Sequence, residues 1–440
     1  MRVWGRLPPA GFGAEPQPSF LVGEARKVGA LPQTPPGPAA LDRHSGSGHD
    51  VAASRVRVSS PALLPAGLRD LLPPEAETEA ASVEALMDAF AAQGYQRVKP
   101  PMLEFEDSLF AGSGAAVAEQ TYRLMDPDTH RMMGVRADMT PQVARIATTR
   151  LAHAPRPLRL SYAGQCLRVR GTQLAPDRQV AQAGIELIGA DSAEADAEIV
   201  LAGAAALATL GLTRVSFDLT LPPLAPILLD AADIGGEQRA ALIHALDRKD
   251  AASVASHGGR LAATLTELLL AAGPADPALA ALRRAPLPPA AAALCERLDA
   301  AVAAIRAAAP TLKLTIDPIE FRGFQYHTGI SVTVYAPGRH EELGRGGRYI
   351  CGEAEPATGL TLFPDALLRA APKRAPRRRV FLPAGTDPAR AASLREAGYA
   401  TVPALGAAGD PLAEAVRLDC THVLRNDELV PLENEATRPE

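Results

Sequence analysis

Aromatic residues make up only 4% of this 440-residue chain, with a single Trp, and its four cysteines (Cys166, Cys295, Cys351 and Cys420) contain no C-x-x-C pair. So scattered a set builds neither a disulfide framework nor a zinc site, and it suits a reducing cytosol. No apolar run approaches the ~18 residues of a membrane span. The N-terminus has no apolar signal segment. The expectation is therefore a cytoplasmic protein without membrane contact. An excess of positive charge is also lacking: 45 basic side chains face 50 acidic ones, for a net charge of −5. That balance argues against a broad nucleic-acid surface, where a basic patch is expected. What is present is 47% hydrophobic residues, ample for a core, in a chain long enough for two or three domains at ~150 residues each.

The chemistry concentrates between Leu158 and Gly189. The stretch reads as a strand (158–162), a second apolar run ending at Arg168, a Gly/Pro-punctuated loop, and a third strand (180–188). Gln182 and Glu186 fall on alternate positions around Gly184 and so share one face of the sheet. With Arg168, Arg170 and Arg178 above them, they describe either the floor of a small-molecule pocket with a cationic rim or a solvated sheet face.

The remaining chain falls into segments around this stretch. Residues 1–60 are rich in Pro, Gly and Ser without a sustained period, either a disordered extension or an over-long gene model. A helix is expected from Glu75 to about Gln93, stopped by Gly94. A strand over 96–104, interrupted by Pro100 and Pro101, belongs at a sheet edge or an interface. Residues 121–136 suggest a hairpin. Thr140 is the expected N-cap of a helix running to about Leu151, with Pro141 at its first position. Asp138 just ahead is either a capping carboxylate or a partner for a ligand ammonium group. A helix over 192–210 and a strand over 215–221 lead into an almost wholly helical insert at about 224–310, which is expected to cover or flank the pocket. Strands at 312–317 and 331–335 bracket Glu320-Phe-Arg-Gly-Phe-Gln-Tyr-His-Thr-Gly329. A basic linker at 371–379 precedes a small α/β unit over 380–440.

In this order the segments resemble the class II aminoacyl-tRNA synthetases, specifically histidyl-tRNA synthetase, over roughly Pro65 to Arg369. Lys99-Pro-Pro-Met-Leu-Glu104 is similar to the class's first, dimer-forming motif. Cys166-Leu-Arg168 through Glu186 is similar to its second. The 320–329 segment with Gly346-Gly-Arg-Tyr349 is similar to the histidine-specific signatures. The resemblance implies an α+β fold: an antiparallel sheet flanked by helices over 61–370, carrying the helical insert. It also implies histidine binding by Asp138, Thr140, Arg168, Gln182, Glu186, Arg322, Tyr326 and His327. Asp138, Thr140 and Gln182 would hold the amino group, Glu186 the imidazole, and Arg168 and Arg322 the carboxylate.

Two departures bear on activity. The second motif's Phe-Arg-x-Glu is here Leu167-Arg168-Val169-Arg170, so an acceptor for adenine has become a cation. Ala366 stands where the third motif ends in an arginine on the γ-phosphate. Losing such a charge-assisted contact typically costs ~1.5–3 kcal/mol of binding, and its transition-state role with it. A chain that keeps amino-acid contacts and loses ATP contacts resembles the non-catalytic regulatory subunits of ATP phosphoribosyltransferase. Arg136-Ala-Asp-Met-Thr-Pro-Gln-Val-Ala-Arg145 and Glu342-Leu-Gly-Arg-Gly-Gly-Arg-Tyr349 carry that resemblance. It implies no catalytic residue, metal or cofactor in this chain. It implies pairing with a short-form catalytic subunit, self-association through the strand near Pro100–Glu104, and histidine as effector, either in the synthetase-like pocket or at the subunit interface. The alternative is an active or divergent histidyl-tRNA synthetase.

Overall fold

In the computed structural model the described residues are 64–171, 176–320, 326–373, 375–406 and 409–432. The expected extension over 1–60 lies outside them. The body contains strands β1 (Gln96–Arg97), β2 (Leu103–Phe105), β3 (Tyr122–Met125), β4 (Met132–Val135), β5 (Leu158–Leu167), β6 (Gln179–Ile188), β7 (Ser216–Thr220), β8 (Gly273–Pro274), β9 (Lys313–Asp317), β10 (Ser331–Tyr335), β11 (Glu342–Cys351) and β12 (Glu355–Leu362). Nine of them form one sheet in the order β1-β5-β6-β12-β11-β10-β7-β9-β8. The sheet is antiparallel from β5 across to β7 and parallel at β1–β5 and β7–β9.

Alternation along the strands sorts side chains to two faces. Ala183, Ile185 and Leu187 of β6 join the large core, where the helices Glu75–Ala92, Ala193–Thr209 and Pro289–Ala308 contribute Leu86, Phe90, Ile199, Leu298 and Ile305. Leu158, Leu160, Tyr162 and Cys166 of β5 turn to the opposite face. There they meet the helix Thr140–Thr148 through Met139, Val143 and Ala147.

The class II architecture expected from the sequence is the architecture observed, with local differences. The interrupted strand over 96–104 divides at its prolines. β1 pairs in parallel with β5, whereas β2 joins β4 and β3 in a separate three-stranded sheet. Without an N–H, neither Pro100 nor Pro101 can donate to a ladder, so the chain changes sheets there. The two runs read at 158–162 and up to Arg168 are one ten-residue strand. It continues through Gly164, which stays in register with Gln182 of β6; a Cβ there would lie 2.4 Å from an Arg136 guanidinium nitrogen. Met139, not Thr140, is the N-cap position, and the helix ends at Thr148 rather than Leu151. The capping acceptor is Asp138, whose Oδ1 receives the Thr140 N–H at 2.8 Å.

The insert links parallel strands β7 and β9, and its buried residues Leu242, Leu246, Leu265 and Leu268 belong to the large core. No insert residue lines the cleft described below, so it flanks the sheet and does not cover the pocket. The tail forms β13 (Arg379–Leu382), β14 (Ala400–Pro403), β15 (His422–Arg425) and β16 (Glu428–Pro431) in the order β14-β13-β15-β16. Its helices Pro388–Glu396 and Pro411–Arg417 are capped by Asp387 and Asp410. β16 was not expected from the sequence. Its signal is Asn426-Asp427, both at positive φ, the two-residue turn that matches hairpin twist.

Candidate functional site

Cross-strand register builds the floor. Leu160 pairs with Glu186, Glu186 with Gly359, Gly359 with Gly347 and Gly347 with Ser331; one step along, Tyr162 pairs with Gly184, Gly184 with Thr361 and Thr361 with Arg345. Gln182 and Glu186 therefore do share a face. Two glycines open it: a Cβ on Gly359 would sit 2.0 Å from Glu186 Oε2, and one on Gly184 would sit 2.6 Å from the Tyr162 hydroxyl.

Glu186 is 1% exposed. Its Oε1 accepts from the Tyr162 hydroxyl at 3.2 Å and its Oε2 from the Tyr349 hydroxyl at 3.0 Å. The Tyr162 hydroxyl also lies 2.7 Å from Thr361 Oγ1 and 3.3 Å from Thr140 Oγ1, so one phenol joins β5, β6, β12 and the start of a helix. Burial pushes the Glu186 carboxyl up to about 8, against the hydrogen bonds from Tyr349, Thr140 and Tyr162 and with the added repulsion of Asp138. The phenols of Tyr162, Tyr326 and Tyr349 are raised well above their usual range, also chiefly by burial.

A second network sets Asp138. Gln182 Nε2 donates to Asp138 Oδ2 at 3.0 Å, while Gln182 Oε1 accepts from the Met139 N–H at 3.0 Å and from the Cys166 thiol at 3.3 Å. All of these groups are buried, Gln182 at 1% exposure. Asp138 and Thr140 line the cleft, whereas Gln182 does not and acts from behind Asp138.

On the far side the cleft is bounded by Arg168, Tyr326, His327, Arg345, Gly346, Gly347 and Phe363. The Arg168 Nε–H is buried without a hydrogen-bond partner among the described residues. Such a donor is costly unless a ligand completes it, at ~1–3 kcal/mol. Arg345 donates from Nε to Glu342 Oε2 at 2.8 Å, and its guanidinium lies 6.0 Å from the Phe363 ring centroid. Burial, then Arg345, lowers His327 to about 4, so its ring is neutral at pH 7. Tyr326 stands edge-on to Tyr349 at 6.1 Å and beside His327 at 4.7 Å.

Of the eight residues expected to hold histidine, the structure brings Asp138, Thr140, Arg168, Glu186, Tyr326 and His327 to one cleft and sets Gln182 behind it. Arg322 lies outside the described residues. Sequence reasoning missed Tyr162, Thr361, Arg345 and Phe363 as site residues, because cross-strand neighbours are invisible without the register. The available signal was the glycines at 184 and 359. Arg348, inside the signature with Tyr349, serves elsewhere: it is buried and donates from Nε to Asp196 Oδ1 at 2.9 Å, fastening the sheet to the helix Ala193–Thr209. Of the two altered positions, Arg170 is exposed. Ala366 is 3% exposed within the helix Pro364–Ala370, which its proline opens at one of the first two positions. That helix's basic residue, Arg369, is engaged by Glu341 at 3.1 Å. Among the described residues, no three His, Cys, Asp or Glu side chains converge as a metal site.

The sequence model of the histidyl-tRNA synthetase family matches residues 67–367. The ATP phosphoribosyltransferase regulatory subunit of Gluconobacter oxydans (strain 621H) is 56% identical over 373 residues, covering 85% of this chain and 98% of that protein. The protein of the same name from Paramagnetospirillum magneticum (strain AMB-1) is 56% identical over 84% of this chain and 98% of its own length. Among solved structures, an ATP phosphoribosyltransferase regulatory subunit/histidyl-tRNA synthetase from Bacillus halodurans superposes with a TM-score of 0.68 at 24% identity, covering 81% of this chain and 97% of that one. The histidyl-tRNA synthetase of Nostoc sp. PCC 7120 gives 0.69 at 17% identity, covering 83% of this chain and 91% of that one. At those identities the two structures speak for the fold.

Proposed function

The chain belongs to the family of ATP phosphoribosyltransferase regulatory subunits, built on the histidyl-tRNA synthetase fold, and from that premise we propose that it is the histidine-sensing, non-catalytic partner of a short-form catalytic subunit. It is required for that subunit's activity and makes the first step of histidine biosynthesis answer to histidine. The catalysed chemistry, on ATP and phosphoribosyl pyrophosphate, belongs to the partner. The complex works in the cytoplasm and needs no nucleic acid. Among the described residues no helix is long and apolar enough to cross a membrane.

The cleft carries the reading. It retains acids for an ammonium group and a ring, Asp138 and Glu186, and a buried arginine N–H awaiting an acceptor, Arg168. Position 366, altered from the third motif's arginine, carries only a methyl group, and it is buried in the core. In this reading Asp138 and Thr140 hold the amino group, with Gln182 fixing Asp138. Arg168 and Arg322 hold the carboxylate, and Glu186, Tyr326 and His327 surround the imidazole. Self-association runs through the segment Pro100–Glu104, where Met102 and Leu103 are 47% and 39% exposed. The division into a body to about residue 370 and a tail from 380 is part of the same proposal, and it is supported by the tail's separate sheet.

Calorimetric titration of histidine into the full chain tests it. Wild type should bind, Glu186→Ala and Gln182→Ala should lose at least tenfold in affinity, and ATP–pyrophosphate exchange should be absent. Binding that appears only with the catalytic subunit, whatever stands at 186, would move the sensor to the subunit interface. Histidyl-adenylate formation would restore the synthetase reading.

A further inference from the structure

Among the described residues, the hydrogen-bond partners of Glu186 are hydroxyl groups and not bases. Its carboxyl group sits on the cleft floor at 1% exposure, and it accepts from the hydroxyls of Tyr162 at 3.2 Å and Tyr349 at 3.0 Å, with the Thr140 hydroxyl as a third partner. Among the described residues, the other titratable and charged groups near it come from several elements, Tyr95 ahead of β1 included. The lead into the helix Thr140–Thr148 supplies Asp138, a second acid. Strand β11 supplies Cys351 and Arg345, the latter held by Glu342. Arg168 follows β5, and the loop before β10 supplies Tyr326 and His327. Strand β12 contributes only Gly359 and Thr361. Two carboxyl groups that are both buried and line one cleft resist sharing two negative charges, and burial already holds Glu186 at about 8.

We propose that Glu186 is a neutral acid in the free protein and hands its proton to the imidazole of bound histidine. The inference rests on the reading that histidine binds in this cleft. On binding, the Glu186 O–H bond breaks and an N–H bond forms on the ring nitrogen that lacks one. The electron pair stays on the carboxylate, and two neutral groups become a carboxylate–imidazolium pair. That pair is hydrogen-bonded, desolvated and strong. The Tyr162 and Tyr349 hydroxyls, which already donate to the two Glu186 oxygens, donate more strongly once the group is an anion. A ligand with a ring of similar shape but no basic nitrogen leaves the acid protonated and gains none of this, so the proton hand-off selects for a ring base.

The test counts protons at pH 7.2. Histidine labelled with 13C and 15N in its ring is bound to the full-length protein and its ring shifts are recorded by NMR. Calorimetry in buffers of different ionisation enthalpy counts the protons taken from solution. An imidazolium ring with close to zero net uptake is expected, since the proton comes from the protein. If Glu186 were already ionised, forming the same pair would draw about 0.8 proton from the buffer, given a free ring that is mostly neutral at this pH. That result, or a neutral bound ring, overturns the proposal and leaves the binding reading intact. No binding by wild type overturns the binding reading and the proposal with it. In Glu186→Gln the bound ring should be neutral and affinity at least tenfold lower; an imidazolium in that variant also overturns the proposal.

Discussion

Burying the Glu186 carboxyl beside Tyr162 and Tyr349 gives the free protein a pH dependence whose sign can be worked out. The folded group titrates at about 8 and the unfolded one near ~4.3. Between those values the native state binds a proton that the unfolded state does not, so stability falls as pH rises, by up to about 1.4 kcal/mol per unit. His327, lowered to about 4, acts in the opposite sense below about 6.5, which makes pH 6.5 to 8 the window in which Glu186 shows alone between these two. Denaturant unfolding should lose about 1–2 kcal/mol across that window in wild type, and the loss should vanish in Glu186→Gln. Equal slopes in the two proteins would mean that the carboxyl is ionised in the fold. Period-two alternation was enough to place Gln182 and Glu186 on one face from the sequence. It could not show that Asp138 would take Gln182 as its own support, nor that Tyr162 and Thr361 would complete the floor, because both depend on which strands become neighbours.

The helix Thr140–Thr148 ties the cleft to the three-stranded sheet. Asp138 and Thr140 stand at its start, while Gln142 Nε2, within the first turn, donates to Pro101 O at 2.8 Å and to Glu104 Oε2 at 2.9 Å. Arg145 pairs with the same Glu104 through its Oε1. Arg136, at the end of β4, donates to Pro100 O at 3.0 Å and to Gln165 O at 2.8 Å. The segment over 100–104 is thus fastened by the residues that flank the cleft. Glu104→Ala should cost about 1–3 kcal/mol of stability by leaving Arg145 and Gln142 without their shared acceptor, and it should also weaken histidine binding by releasing the helix. Denaturation and titration of one preparation check both; an unchanged affinity at reduced stability would confine the latch to a structural role. Elements with a strong period, such as the helices Glu75–Ala92 and Ala193–Thr209, were legible in the sequence to within a residue or two. Those set by competing local chemistry were not. The Pro100-Pro101 pair divided a single expected strand between two sheets, and the Asp138 carboxylate shifted the expected cap by one residue.

For the whole molecule, if the cleft is the effector site of the proposed function, the consequence is thermodynamic reciprocity. If histidine in this cleft lowers the catalytic subunit's affinity for phosphoribosyl pyrophosphate, then that substrate must lower the affinity of this chain for histidine by the same factor, typically 5- to 150-fold. The structure supplies contacts that could carry such a term: the cleft, the helix Thr140–Thr148, and the sheet β2-β4-β3, whose residues Leu103, Leu124, Met125 and Met132 are 36–57% exposed. Titrating histidine into the assembled complex, with and without saturating phosphoribosyl pyrophosphate, should show at least a fivefold rise in Kd when substrate is present. The KM for phosphoribosyl pyrophosphate should rise in step as histidine is added. Reciprocity constrains binding free energies and not turnover, so an identical Kd in both titrations would place the feedback on the catalytic step alone and would uncouple this cleft from the partner's substrate binding.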